Sequence, residues 1–146
     1  MILLDTNVVS ELYRPAPNAS VVTWFDAQDN DQLYLCAPVL AELRFGMERL
    51  ESGRRKDALR AAIERLEGVL YRNRILPFDV ACVPHYGRLV AARQRAGLTM
   101  QQMDAFIAAI AVANGSALAT RNIDHFDGLG LELINPFEPI EDRKAQ

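Results

Sequence analysis

Three carboxylates stand where an acid has no ordinary reason to be. Asp104 lies in the run "MDAFIAAIAVA" from position 103 to 113, in which every other residue is apolar. A helix of that composition is buried almost all round. An ionised carboxylate on it is costly to desolvate unless it is paired or holds a metal. The run places Asp104 in the helix's second turn, where the positive helix end offsets part of that cost. The bland alternative is a carboxylate bonded to a core partner or reaching out at the helix end. Asp5 follows four apolar residues in "MILLDTNVVSE" and is itself followed by Thr6 and Asn7. All three are also good helix N-caps. Glu42 sits in "PVLAELRFGMERL". Val39, Leu43, Met47 and Leu50 make one apolar stripe there, and Glu42 falls about 100° from its centre. Gly46, one turn on, leaves space beside it; a salt bridge to Arg44 or Arg49 would explain Glu42 equally well. A fourth polar cluster, Thr120-Arg121-Asn122 with Asp124 close by, interrupts "ALATRNIDHF". Taken alone it is an ordinary Asn/Asp turn.

Other chemistries have little to stand on. There is no GxxxxGK[ST] and no GxGxxG. His85 and His125 are isolated in the chain and read as surface or capping residues. Cys36 and Cys82 lie in apolar contexts with no CxxC, so they read as reduced core residues of a cytosolic protein.

The elements that must position these acids can be traced from period and punctuation. Residues 2–4 read as a buried strand, and Thr6 to Tyr13 as a helix. Asn18 or Ser20 caps a helix to about Gln28. "QLYLCA" is a second strand. Pro38 opens a helix running to about Leu50, with Gly53 as its stop. A long charged helix spans about Arg54 to Tyr71. "ILPF" is a third strand, and Asp79 caps a helix ending near Gly97. Thr99-x-x-Gln102 has the form of a capping box for the helix that carries Asp104, with Gly115 as its stop. "ALAT" is a fourth strand and "LELIN" a fifth. Short apolar strands alternating with helices predict a parallel sheet covered on both faces. Ligands of such sheets sit beyond the carboxyl ends of the strands. Asp5 and Thr120 both fall there, on strands whose neighbours lie about 5 Å apart.

The chain has 146 residues, half of them apolar, which suits one domain with a real core. No apolar run approaches the roughly 20 residues of a membrane span, and no signal-like start is visible. The net charge of −3 argues against passive coating of nucleic acid. Its distribution is uneven: seven basic and three acidic residues lie between Arg54 and Arg74, against nine and sixteen elsewhere. A basic segment on an acidic body can track a phosphate backbone. A solvated helix face with pairs such as Arg60 and Glu64 accounts for it as well.

"LLDTNVVSEL", "PVLAELRFGMERL", "MDAFIAAIA" and "LATRNIDHFDGLGLELINP", in this order, resemble the PIN-domain ribonucleases, in particular the VapC-type toxins of bacterial toxin–antitoxin pairs. The resemblance covers roughly residues 1–137 and leaves 138–146 as a charged tail. It implies a three-layer α/β/α domain with a central parallel sheet of four to five short strands. It also implies hydrolysis of RNA phosphodiesters with Mg²⁺ or Mn²⁺, a homodimer, and a cognate VapB-type antitoxin in the cytoplasm. By matching motifs, Asp5, Glu42 and Asp104 take the places of the family's acids. Thr6, Asn7 and Thr120 are supporting groups. The family often has a fourth acid in a Thr-Arg-Asp sequence; here that position is Asn122, with Asp124 two residues later as a substitute metal ligand. The physical chemistry agrees. Converging carboxylates repel, and without a cation some take up protons. An all-oxygen set selects hard ions. Since an acidic pocket repels RNA, Arg54, Arg55, Lys56 and Arg121 are the expected backbone contacts. The rivals are a metal-dependent phosphatase, for which the second Asp of DxDxT is missing, a DNA-directed nuclease, and a non-catalytic module that binds RNA or an antitoxin.

Overall fold

The structure is a computed structural model and describes residues 1–139; from position 140 on, the charged tail lies outside the described residues. Five short strands form one parallel sheet: β1 (Ile2–Leu4), β2 (Leu33–Cys36), β3 (Ile75–Leu76), β4 (Ala117–Ala119) and β5 (Leu133–Ile134), in the order β3-β2-β1-β4-β5. Successive side chains of a strand point to opposite faces. Leu3 and Leu4 are both buried, as are Leu35 and Cys36, and Leu118 and Ala119. The sheet is therefore covered on both sides, which makes a three-layer α/β/α domain.

Seven helices supply the cover: α1 (Thr6–Leu12), α2 (Ala19–Asp26), α3 (Ala37–Glu48), α4 (Arg54–Arg65), α5 (Val83–Arg95), α6 (Gln102–Ala113) and α7 (Ile123–Phe126). Asn18 caps α2 as expected, its side chain accepting from Ser20 and Val21 N–H. Pro38 stands in the first turn of α3. Asp79 caps a 3₁₀ turn, Val80–Cys82, that leads into α5. Gly115 adopts φ +60° after α6, a conformation in which glycine carries no Cβ penalty.

Three expectations are corrected. The charged helix does not run as a regular α-helix to Tyr71: it ends at Arg65 and continues as a π-helical turn, Leu66–Leu70. Tyr71 N–H reaches back five residues to the Leu66 carbonyl, and Arg44 meets Glu67 of this turn with two bonds of 2.7 and 2.5 Å. The capping box at Thr99 does not form. The cap of α6 is Gln101, with extended backbone and no side-chain bond, so Thr99 stands two residues too early. Asp104 consequently lies in the first turn of α6, nearer the positive helix end than its sequence context implied.

The strand order places a topological switch at the centre. From β1 the chain builds outward through β2 and β3, then returns to lay β4 on the other side of β1. In open parallel sheets the crevice at such a switch, at the carboxyl ends, is where ligands bind. Asp5 and Thr120 are the first residues past β1 and β4.

Candidate active site at the carboxyl ends of the strands

Leu4 pairs with Ala119 across β1 and β4, and Asp5 N–H donates to the Ala119 carbonyl at 2.9 Å. That register sets Asp5 beside Thr120. Thr120 Oγ1, fully buried, donates to Asp5 Oδ2 at 2.6 Å. Asn7 Nδ2 donates to the same oxygen at 3.0 Å, and Thr6 N–H to Oδ1 at 2.8 Å. Asp5 is thus both the N-cap of α1 and a buried acid held by three donors. Asn7 also accepts from Arg121 N–H at 3.0 Å, and Thr120 Oγ1 accepts from Asn122 N–H at 3.0 Å. The two polar clusters legible in the sequence are therefore one hydrogen-bonded unit spanning β1 and β4.

Glu42 joins this unit from α3, where Thr6 Oγ1 donates to its Oε2. Neither alternative partner takes it. Arg44 is spent on Glu67, and the Arg49 guanidinium lies over the Phe45 ring. A Cβ added at Gly46 would meet nothing within 4 Å. Gly46 opens onto a cavity of about 820 Å³ bordered also by Thr6, Glu42, Arg14 and Arg55.

The electrostatics link the acids. Burial pushes the Asp5 carboxyl above its ordinary 3.8; the bonds from Thr120, Thr6 and Asn7 oppose this, while the Asp104 charge adds to it. Burial also pushes Glu42 up from its ordinary 4.5, against the Thr6 bond and with the charges of Asp5 and Asp104. Asp5, Glu42 and Asp104 therefore sit in one another's field, and a cation among them would relieve the repulsion. Among the described residues no three His, Cys, Asp or Glu side chains converge as a ready-made metal cage. Mg²⁺ rarely needs one. It is commonly held by one or two carboxylates and keeps several waters, and an all-oxygen donor set of this kind fits it.

The remaining expected residues divide. Asn122 heads α7 without a side-chain capping bond. No hydrogen bond or ion pair joins the Asp124 side chain to the acids among the described residues; it borders a smaller cavity with Asp104. Lys56 is committed to Glu48, through the backbone carbonyl and carboxylate, both at 3.3 Å. Arg60 pairs with Asp57, not Glu64. Arg54 and Arg55 open α4, where the helix dipole disfavours cations. Arg121 stacks its guanidinium on Phe137, 4.9 Å from the ring centroid.

Two residues carried no signal in the sequence. His125, read as isolated, sets Nδ1 2.9 Å from Asp104 Oδ2. Arg93 is buried and donates from Nη2 to the Asp124 and His125 carbonyls at 3.2 and 2.6 Å. Both contacts join residues more than 20 positions apart, beyond the reach of any local pattern.

A parallel five-stranded sheet with Asp5 and Thr120 bonded at its central switch makes an α/β domain with an acidic crevice at the carboxyl ends of its strands. The PIN domain model matches residues 2–130, and the chain belongs to the PIN domain family. It is 48% identical over 138 residues to the plasmid stability protein StbB of Pseudomonas syringae pv. tomato, spanning 94% of this chain and 99% of that one. It is 42% identical over 142 residues to the VapC ribonuclease Y4jK of Sinorhizobium fredii, spanning 95% and 99%. The crystal structure of FitAcB from Neisseria gonorrhoeae superposes with a TM-score of 0.86 at 38% identity, covering 94% of this chain and 99% of that one. No helix among the described residues is long and apolar enough to cross a membrane.

Proposed function

We propose that this protein is the toxin of a toxin–antitoxin pair and acts as a metal-dependent endoribonuclease. The observation that carries the reading is the mutual field of Asp5, Glu42 and Asp104 at the carboxyl end of β1, with Asp5 bonded to Thr120 of the neighbouring strand. Its relatives named as a VapC ribonuclease and, in Neisseria gonorrhoeae, as the toxin FitB support the substrate class and the toxin role.

Asp5 and Asp104 would hold Mg²⁺ or Mn²⁺, with Glu42 contributing through a water. Bound there, the ion supplies Lewis-acid polarisation of the scissile phosphate and lowers the pKa of a coordinated water. The protein's own residues do the positioning. Thr120, Asn7 and the Thr6 amide fix both oxygens of Asp5. Thr6 orients Glu42, which aligns the attacking water in line with the leaving 3′ oxygen. Cleavage then leaves a 5′-phosphate and a 3′-hydroxyl. Arg54, Arg55 and Arg121 hold the RNA backbone, and Asn122 positions a water. A cognate antitoxin would restrain the site by aiming an arginine at the carboxylates, and the working form is a homodimer. Incubation of total RNA with wild type and Asp5→Asn, with Mg²⁺ or EDTA, tests this. Fragments carrying 5′-phosphates that need both Mg²⁺ and Asp5 support it. Metal-independent cleavage, or no cleavage by wild type, refutes it.

A further inference from the structure

We propose that His125 is a positioning residue for Asp104, itself held in place by Arg93, and that this α5–α7–α6 relay sets the affinity of the acidic site for its cation. The inference rests on the metal reading above. A carboxylate only accepts hydrogen bonds, so the ring nitrogen facing it carries the proton: Nδ1–H donates to Asp104 Oδ2 at 2.9 Å. One oxygen of Asp104 is thereby tied to α7, which fixes the carboxylate plane and the direction of its remaining lone pairs. The charge of Asp104 reaches Asp5 and Glu42 from this orientation.

Two features separate this pair from a casual surface contact. His125 stands on a helix of only four residues, too short to hold itself rigid. Arg93, 7% exposed, fastens that helix by its last two carbonyls before Phe126. The Arg93 Nε is buried with no hydrogen-bond partner among the described residues, so the guanidinium holds these carbonyls even though one of its own donors goes unsatisfied. The second feature is space. A cavity of about 230 Å³, bordered by Arg93, Thr99, Gln101, Asp104, Asp124 and His125, lies beside the carboxylate. Without the Nδ1–H tether, Asp104 has room beside it to leave its present orientation. Outer hydrogen-bond partners of metal ligands typically govern affinity by 10- to 100-fold.

The test uses His125→Ala, His125→Phe and His125→Asn. The His125 side chain is 47% exposed, so none of them empties the core. Phe keeps a ring without a donor, and Asn supplies an amide N–H near the Nδ1 position. Mn²⁺ affinity of the RNA-free protein is read by titration calorimetry, and kcat and KM for RNA are read across Mn²⁺ concentrations. The expected result is Mn²⁺ binding weakened about tenfold in the Ala and Phe variants, with kcat recovering at high Mn²⁺, KM for RNA unchanged, and most of the affinity restored in the Asn variant. Wild-type affinity in His125→Ala, or rescue by Phe but not by Asn, overturns the proposal while leaving the metal reading intact. A wild type that binds no Mn²⁺ overturns both.

Discussion

Thr120 Oγ1 donates a 2.6 Å hydrogen bond to Asp5 Oδ2 across the gap between β4 and β1. The bond joins residues 115 positions apart, and it exists because a parallel register sets the two strand ends side by side. Thr120 also accepts from Asn122 N–H. One hydroxyl therefore stabilises the anion of a buried acid and anchors the loop that leads to His125.

Removing that hydroxyl leaves Asp5 with one donor fewer. Among the influences that oppose burial at Asp5, the Thr120 bond is the largest, so its loss raises the carboxyl further and the ionised form is reached only at higher pH. In Thr120→Val the acid limb of the cleavage rate moves up in pH, while Thr120→Ser keeps it near wild type. The buried partners left unpaired cost about 1–3 kcal/mol, a melting-temperature drop of roughly 2–4 °C per kcal/mol for a chain of this size. A pH–rate profile beside thermal melts checks both, and an unmoved acid limb in the Val variant would count against Asp5 acting as an anion.

Glu42 lies above its ordinary 4.5 in the folded protein. Its contribution to stability is thus present below about pH 4.5 and lost as pH rises through the folded value. At neutral pH without metal, the charged Glu42 strains the fold. Glu42→Gln keeps an oxygen to accept from Thr6 and removes the charge. The metal-free variant should melt above wild type at pH 7 and alongside it well below pH 4.5. A lower melting temperature at pH 7 would mean that the carboxylate is satisfied by something other than a cation.

RNA binding should separate the basic residues by what already occupies them. Arg54→Ala and Arg55→Ala each weaken binding and reduce the salt slope by about 1. Lys56→Ala leaves the slope unchanged, because Lys56 is engaged with Glu48. Filter binding of an RNA oligonucleotide between low and moderate salt resolves the difference. A wild-type slope in all three variants would return the segment to a solvated helix face.

Cys36 ends β2 fully buried, and burial pushes its thiol up to about 12. Since the thiolate is the reactive form, the native protein should resist iodoacetamide at this position at pH 8, with labelling appearing only in denaturant. Mass spectrometry of the peptide carrying Cys36 reads this directly. Rapid native labelling would show that β2 opens readily.

Much of this site is legible from local pattern. A single acid on an apolar helix, as at Asp104, stands out because periodicity leaves no polar face to hold it. Asp5 stands out because an apolar strand turns polar at one residue. Glu42 is visible at the edge of a stripe. The π turn at Leu66–Leu70 is not legible, since its composition is that of a helix and its contact with Arg44, 23 positions from Glu67, appears only in the fold. The expected cap at Thr99 fails because α6 starts at Gln102, which makes Gln101 the cap and leaves Thr99 two residues outside the motif's register. His125 and Arg93 act through contacts between α5, α6 and α7, and only the assembled fold brings these together.

The proposal that Asp5 and Asp104 share one cation is tested most directly by a double-mutant cycle on cleavage in Mg²⁺: wild type, Asp5→Asn, Asp104→Asn and both together. Two ligands of one ion act as a unit and their losses do not add. Each single substitution should bring the rate down to that of wild type in EDTA, and the double should fall no further. Near-wild-type cleavage by either single variant, or losses that multiply in the double, would mean that Asp5 and Asp104 serve no common ion.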